Sequence, residues 1–146
     1  MSEERAKKQL NELLNDAIEM AQKLIAKHGS HIPFAVAVRK NGDRLNIAVD
    51  DTERPGVDVL ESTLLSTLRE RCATRELAAV AFVRNVEYRS AVDGTRVDAI
   101  ECTLDHTDSD AVTCYLPYSW DEKQGFVTGE LFATEAREVF FRPIVL

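Results

Sequence analysis

Two hydrophobic periods alternate along this chain, and each switch between them marks an element. From Ser2 to His28, apolar side chains recur at three and four residues: Leu10, Leu13, Leu14, Ala17, Ala21, Leu24 and Ile25. That spacing predicts one amphipathic helix over residues 1–28. Ser2 suits its N-cap, Glu3 and Glu4 its positively polarised first turn, and Gly29 a left-handed stop. A second helix is predicted over 57–73, where Leu60, Leu64, Leu68 and Cys72 stand four apart with Leu65 beside them. Asp58 and Glu61 ahead of that stripe resemble a capping box.

Residues 33–50 lie between the helices and change to a period of two. Asn41-Gly42 separates two β-type runs and predicts a two-residue type I′ hairpin turn. A turn centred there pairs Val38 with Leu45, Val36 with Ile47 and Phe34 with Val49. One face is then bulky, and the other carries Ala35, Ala37 and Ala48 with Asn46 among them. A half-solvated sheet alternates apolar with polar residues, so a sheet covered on both sides is expected here. The long N-terminal helix, with small residues at Ala17 and Ala21, is expected on the alanine face.

Residues 77–118 read as a meander of three strands: Leu77 to Tyr88, Arg96 to Asp105 and Ala111 to Tyr118. A loop centred on Asp108 pairs Cys102 with Cys114, Leu104 with Val112 and Ile100 with Leu116. Glu101, Thr103, Thr113 and Tyr115 then face the other way, toward a less completely covered side. In the tail, residues 119–146, Phe126 to Phe132 can return as a strand broken at Gly129. Thr134 to Phe141 fits a short helix, limited by Pro143, or an irregular segment draping Val139, Phe140 and Phe141 on the core.

The whole predicts a single α+β domain over 1–146, an α/β/α-type sandwich around a central, mainly antiparallel sheet of about five or six strands. The element order is helix, strand, strand, helix, then three strands and a fourth from the tail. That order resembles the roadblock and profilin-like sandwiches. The resemblance is one of topology and implies an antiparallel sheet with helices on both faces.

Composition narrows the function classes. A net charge of −7 and pI near 5.0 argue against general affinity for nucleic acid or an anionic membrane. No stretch approaches the roughly 18 apolar residues of a membrane span. The N-terminus is charged and lacks the apolar core of a signal peptide. Three dispersed cysteines, Cys72, Cys102 and Cys114, form no C-x-x-C pair and suit a reducing cytoplasm.

The common nucleotide, zinc-protease, hydrolase-elbow and EF-hand motifs do not occur. No cofactor or metal is expected. His28 and His31 flank the helix stop without a carboxylate or cysteine nearby in sequence to complete a ligand set. Asp105, His106, Asp108 and Asp110 form the densest patch of oxygen and nitrogen ligands, but an alternating strand-turn-strand spreads them over two faces. Residues 77–110 hold seven acids against three bases, a net of −4. Beyond them, Tyr115, Tyr118, Trp120 and Phe126 gather around Pro117. Aromatic residues with polar tips suit binding surfaces. Tyr118, however, lies on the apolar face of its own strand, and Trp120 is placed to close the sheet end, so core or lid packing is the favoured reading of the cluster over an interaction site.

These features favour a non-catalytic soluble interaction module working through protein–protein contacts, with a protein partner or a second copy in a homodimer. Its candidate surface is Tyr115, Tyr118 and Trp120 with Asp105, His106, Asp108 and Asp110. An alternative is an acidic inhibitor or immunity-type protein that neutralises a basic enzyme or toxin. A further alternative is a small-ligand domain or enzyme with a pocket between sheet and helix.

Overall fold

The computed structural model describes residues 2–141. Its first element, α1 (Glu3–His28), is the predicted amphipathic helix. Ser2 accepts the Arg5 N–H at 3.2 Å as its N-cap. Gly29, at φ +83°, closes it by donating to the Ile25 carbonyl at 2.7 Å. The second helix, α2 (Val57–Ala73), begins differently from expectation. Its N-cap is Gly56, with no side-chain cap hydrogen bond. Asp58 lies in the first turn, where its charge meets the helix dipole, and Glu61 pairs instead with Arg84.

Seven strands follow from the rest of the chain: β1 (Phe34–Arg39), β2 (Arg44–Ala48), β3 (Leu77–Arg89), β4 (Arg96–His106), β5 (Ser109–Asp121), β6 (Gly125–Thr128) and β7 (Phe132–Glu135). They form one antiparallel sheet in the order β2-β1-β3-β4-β5-β6, and β7 also pairs with β5. The predicted three-layer α+β architecture is present: α1 packs on one face and α2 on the other.

The first hairpin departs from the predicted register by one residue. Phe34 pairs with Ala48, Val36 with Asn46 and Ala37 with Leu45. Gly42 donates to the Arg39 carbonyl at 2.9 Å, and Arg39 donates to the Asp43 carbonyl at 2.8 Å. Gly42 alone takes positive φ, +95°, while Asn41 does not. This is a three-residue loop, a type I turn followed by a left-handed glycine, in place of the two-residue type I′ turn. Asn41 stabilises it by accepting the Asp43 N–H at 2.9 Å.

Because side chains alternate along a strand, the extra loop residue exchanges which side chains of β2 share a face with those of β1. Leu45 and Ile47 now join Ala35 and Ala37, and the alanine face meets α2 through Leu64, Leu68 and Cys72. The bulky Phe34, Val36 and Val38 meet α1 instead. The expected seating of α1 on the alanines is thus reversed. Small side chains on β1 are complemented by leucines from both β2 and α2.

The meander register agrees with expectation: Cys102 pairs with Cys114, Leu104 with Val112 and Ile100 with Leu116. The strands are longer than predicted, and His106 pairs with Ser109 across a tight turn. A bulge lies between these pairings, so Asp110 and Ala111 of β5 together oppose Asp105.

β6 and β7 are two halves of one edge strand along β5, interrupted at residues 129–131. Pro117 explains the break. Its carbonyl accepts the Gly129 N–H at 2.8 Å, so this side of β5 faces the edge strand. Proline has no N–H to return the bond, and the ladder fails there.

The remaining segment, 136–141, is irregular and crosses the α2 face as a strap, burying Phe140 against Phe82. Phe141 packs beside it. The expectation concerning Pro143 falls outside the described residues.

Candidate functional site

Seven of the described large apolar side chains are exposed, and three of them gather at the β5–β6–β7 edge. They are Trp120, 54% exposed, Leu131, 44%, and Phe132, 40%. Trp120 shares its face with Tyr118, two residues before it, and rests on Phe126 of β6 with ring centroids 5.4 Å apart. Tyr118 packs on the same Phe126 at 5.4 Å. It is itself buried under the α1 face and donates its hydroxyl to Asn85 Oδ1 at 2.6 Å. The exposed part of this cluster is therefore Trp120 with the edge of Phe126.

On the opposite face, four cross-strand neighbours form a row: Arg84 of β3, Glu101 of β4, Tyr115 of β5 and Phe132 of β7. Phe132 stacks on Tyr115 at 5.3 Å, and Tyr88 meets both rings edge-on at 6.0 and 6.4 Å. A cleft of about 450 Å³ opens over these rings, with Arg84, Glu101 and Arg137 also in its walls. Its apolar rings come from strands at the sheet end that α2 and the strap leave open.

The polar groups in this cleft are already engaged with one another. Arg84 Nε donates to Glu101 Oε1 at 2.8 Å, and its Nη1 pairs with Glu61 of α2. Glu101 is only 2% exposed. Burial raises the Tyr115 phenol above its ordinary range, and the neighbouring Glu101 carboxylate adds to the rise while Arg137 opposes it. Tyr115 is thus a neutral hydroxyl, suited to hydrogen bonding rather than to proton abstraction at neutral pH.

The acidic half of the predicted surface is placed elsewhere. Asp105 and His106 are buried, on opposite faces of β4. Asp105 holds the strap: its Oδ2 accepts the N–H groups of Phe140 and Phe141, and its Oδ1 accepts that of His106 at 2.8 Å. His106 Nε2 meets Gln9 Oε1 of α1 at 2.7 Å, and Nδ1 accepts the Asp108 N–H at 3.0 Å. An accepting Nδ1 is unprotonated, so Nε2 carries the hydrogen. Burial lowers the pKa of this imidazole, against the opposing pull of Asp108 and Asp105. Neither residue can belong to a solvent-facing surface.

Asp108 and Asp110 are exposed at the β4–β5 turn, but Trp120 lies at the other end of β5. At about 3.3 Å per residue, that separates them by roughly 30 Å or more. The predicted patch consequently resolves into an aromatic edge, two buried anchors and a distant acidic turn.

Tyr88, Arg84, Leu131 and Phe132 escape a reading based on motifs. A usable signal existed for Arg84 and Glu101, since a turn centred between Val92 and Asp93 places them directly opposite.

Near α1's end, His31 Nδ1 lies 2.8 Å from the Ile32 carbonyl, and the ring packs on Phe34 at 5.3 Å. Among the described residues, no group of three His, Cys, Asp or Glu side chains is placed to hold a metal ion. Among them, too, no helix is long and apolar enough to cross a membrane. Comparison with protein-family models, with curated proteins and with solved structures finds no match to this chain.

Proposed function

We propose that this chain is a non-catalytic interaction module that binds protein along the outer edge of β6 and β7, in a reducing, cytoplasmic setting. The observation that carries this reading is the exposure of Trp120, Leu131 and Phe132 together on one sheet edge. An edge strand offers unpaired backbone donors and acceptors, and an added strand from a partner satisfies them. Side chains of such a strand alternate between faces. Those on one face meet Trp120 and Phe126, and those on the other meet Phe132 and Tyr115. Large aromatic side chains give such contacts much buried area at little rotamer cost.

The opposite sheet edge is less suited. Arg44 of β2 is held there in an ion pair with Asp16 of α1. Charge at an edge discourages strand addition. The three cysteines are free and buried, in keeping with a reducing compartment.

The occupant is a protein strand, supplied either by a second copy or by a different chain. Light scattering across a concentration series tests the first, and affinity capture of defined partners from the native host tests the second. Trp120→Ala with Phe132→Ala should abolish the association while leaving the circular dichroism unchanged. Association that survives this pair of substitutions at full strength would overturn the reading.

A further inference from the structure

A second cavity, of about 600 Å³, lies where α2 ends beside the strap. Its floor is apolar, formed by Cys72, Leu77 and Phe140. Its rim carries three cations, Lys40, Arg69 and Arg75, and among the described residues no carboxylate lines it. This is unexpected in a chain of net charge −7.

Among the described residues, the neighbouring acids neutralise only one of these three cations. Arg69 is paired with Glu138 and lies 5.6 Å from the centre of the Phe140 ring. Glu76 is shared between Arg71, at 2.6 Å, and Arg39, at 3.5 Å. Lys40 and Arg75 have no acidic partner among the described residues, and both are exposed. The buried Asp105 carboxylate beneath the strap is saturated by three backbone N–H groups and turned away from solvent. Arg75 has φ +62°, the conformation in which glycine is favoured after a helix. The backbone here accepts a strained residue that carries charge at the mouth of the cavity.

We infer that this groove is a binding site for an acidic peptide segment, with carboxylates at Lys40 and Arg75 and one apolar side chain on the Cys72–Leu77–Phe140 floor. Charge complementarity selects the occupant. Two uncompensated cations favour a ligand with at least two carboxylates, and the floor between them favours an apolar residue flanked by acids. The volume lies within the usual range for binding clefts, about 300–1,000 Å³. This site is separate from the β6–β7 edge and does not depend on the role proposed for that edge.

The test uses the full chain and a synthetic peptide with one phenylalanine between two pairs of glutamates, titrated by NMR. Amide shifts should concentrate at Lys40, Arg75 and Leu77. Lys40→Glu with Arg75→Glu should weaken binding by about tenfold or more at low salt. Wild-type affinity should fall steeply toward 1 M salt, where the screening length is only about 3 Å. A matching peptide with lysines should not bind. Trp120→Ala with Phe132→Ala should leave peptide binding intact, which separates this site from the edge. Shifts located elsewhere, equal binding of the lysine peptide, or tighter binding of a short oligonucleotide than of the glutamate peptide would each overturn the inference. So would a charge-reversed protein that binds normally.

Discussion

Asp105 holds Phe140 in place from beneath, with Oδ2 accepting the Phe140 N–H at 2.7 Å. The same oxygen takes the Phe141 N–H at 3.0 Å, so one carboxylate anchors the end of the strap. The other anchors are side chains as well: Thr113 Oγ1 accepts the Arg137 N–H at 2.9 Å, and Arg69 Nη1 donates to the Val139 carbonyl at 3.1 Å. Hydrogen bonds to a charged acceptor contribute about 1.5–3 kcal/mol each. Asp105→Ala should therefore destabilise by about 2–4 kcal/mol, and Asp105→Asn, which keeps an acceptor, by less. Cys72 reports on the strap directly. Burial, with Asp105 adding to it, pushes its thiol up to about 12, so native labelling at neutral pH should be slow. Asp105→Ala should accelerate Cys72 labelling selectively, leaving Cys102 and Cys114 protected beneath α1. Unchanged labelling would mean that the strap stays docked without its carboxylate.

Among the described residues, Arg84 and Glu101 form the most enclosed ion pair, with Nη2 2.7 Å from Oε1. Removing the cation alone strands a buried carboxylate, which typically costs about 3–5 kcal/mol. Arg84→Met should approach that loss. Adding Glu101→Leu should recover a substantial part of it, because two apolar side chains replace two desolvated charges. Urea denaturation of the four proteins in this cycle measures the coupling, and additive effects would refute it.

Ala37 is fully buried between β3 and the leucines of α2. Ala37→Leu should destabilise by about 1–3 kcal/mol through overpacking. A neutral result would show that α2 can withdraw from the alanine face.

His106 and His31 both have folded-state pKa values lowered chiefly by burial from 6.5. The unfolded chain then binds more protons near and below that value, so stability rises with pH. Their contribution is complete above the unfolded pKa and is lost as pH falls from about 6.5 toward the folded values. For His106 the structural reason is visible, since protonating Nδ1 would set its hydrogen against the Asp108 N–H. Thermal melts between pH 7 and pH 5 should show this loss. NMR titration should place the His106 ring midpoint below 6.5, and a midpoint above it would contradict the geometry.

Arg75 occupies a left-handed position at φ +62°. Arg75→Gly relieves a cost of about 1–2 kcal/mol but adds about 0.5–1 kcal/mol of unfolded-chain entropy. The net gain should be a few tenths to about 1 kcal/mol, measured by chemical denaturation. A destabilised Arg75→Gly protein would show that the side chain has folding contacts beyond those described.

Long periodic signals carried most of the fold. The stripe of α1 spans seven turns, too many repeats for a shift in boundary to alter its face. The β4–β5 register followed from a tight turn, because the midpoint of a short loop fixes which residues oppose one another. The β1–β2 register did not follow, although its turn signal was the strongest in the chain. Asn41-Gly42 suits both the two-residue turn and the three-residue loop, and only the φ of Asn41 separates them.

The candidate site was partly legible. Tyr115 and Trp120 do lie at an exposed edge, but alternation places them on opposite faces of it. Asp105 looked like a surface acid in a polar turn. Its partners are amides 35 and 36 residues away in a segment without periodicity, and no local pattern announces such a contact.

The missing N–H of Pro117 also restricts what can lie against the far side of the edge. β6 offers four residues and β7 four, and their pairings with β5 differ by one residue in offset. A straight incoming strand can continue the pleat of one half or the other, but not both in phase. A partner that spans Trp120 and Phe132 must therefore carry its own bulge, whereas an undistorted strand, including one from an aggregating neighbour, can engage only about four residues.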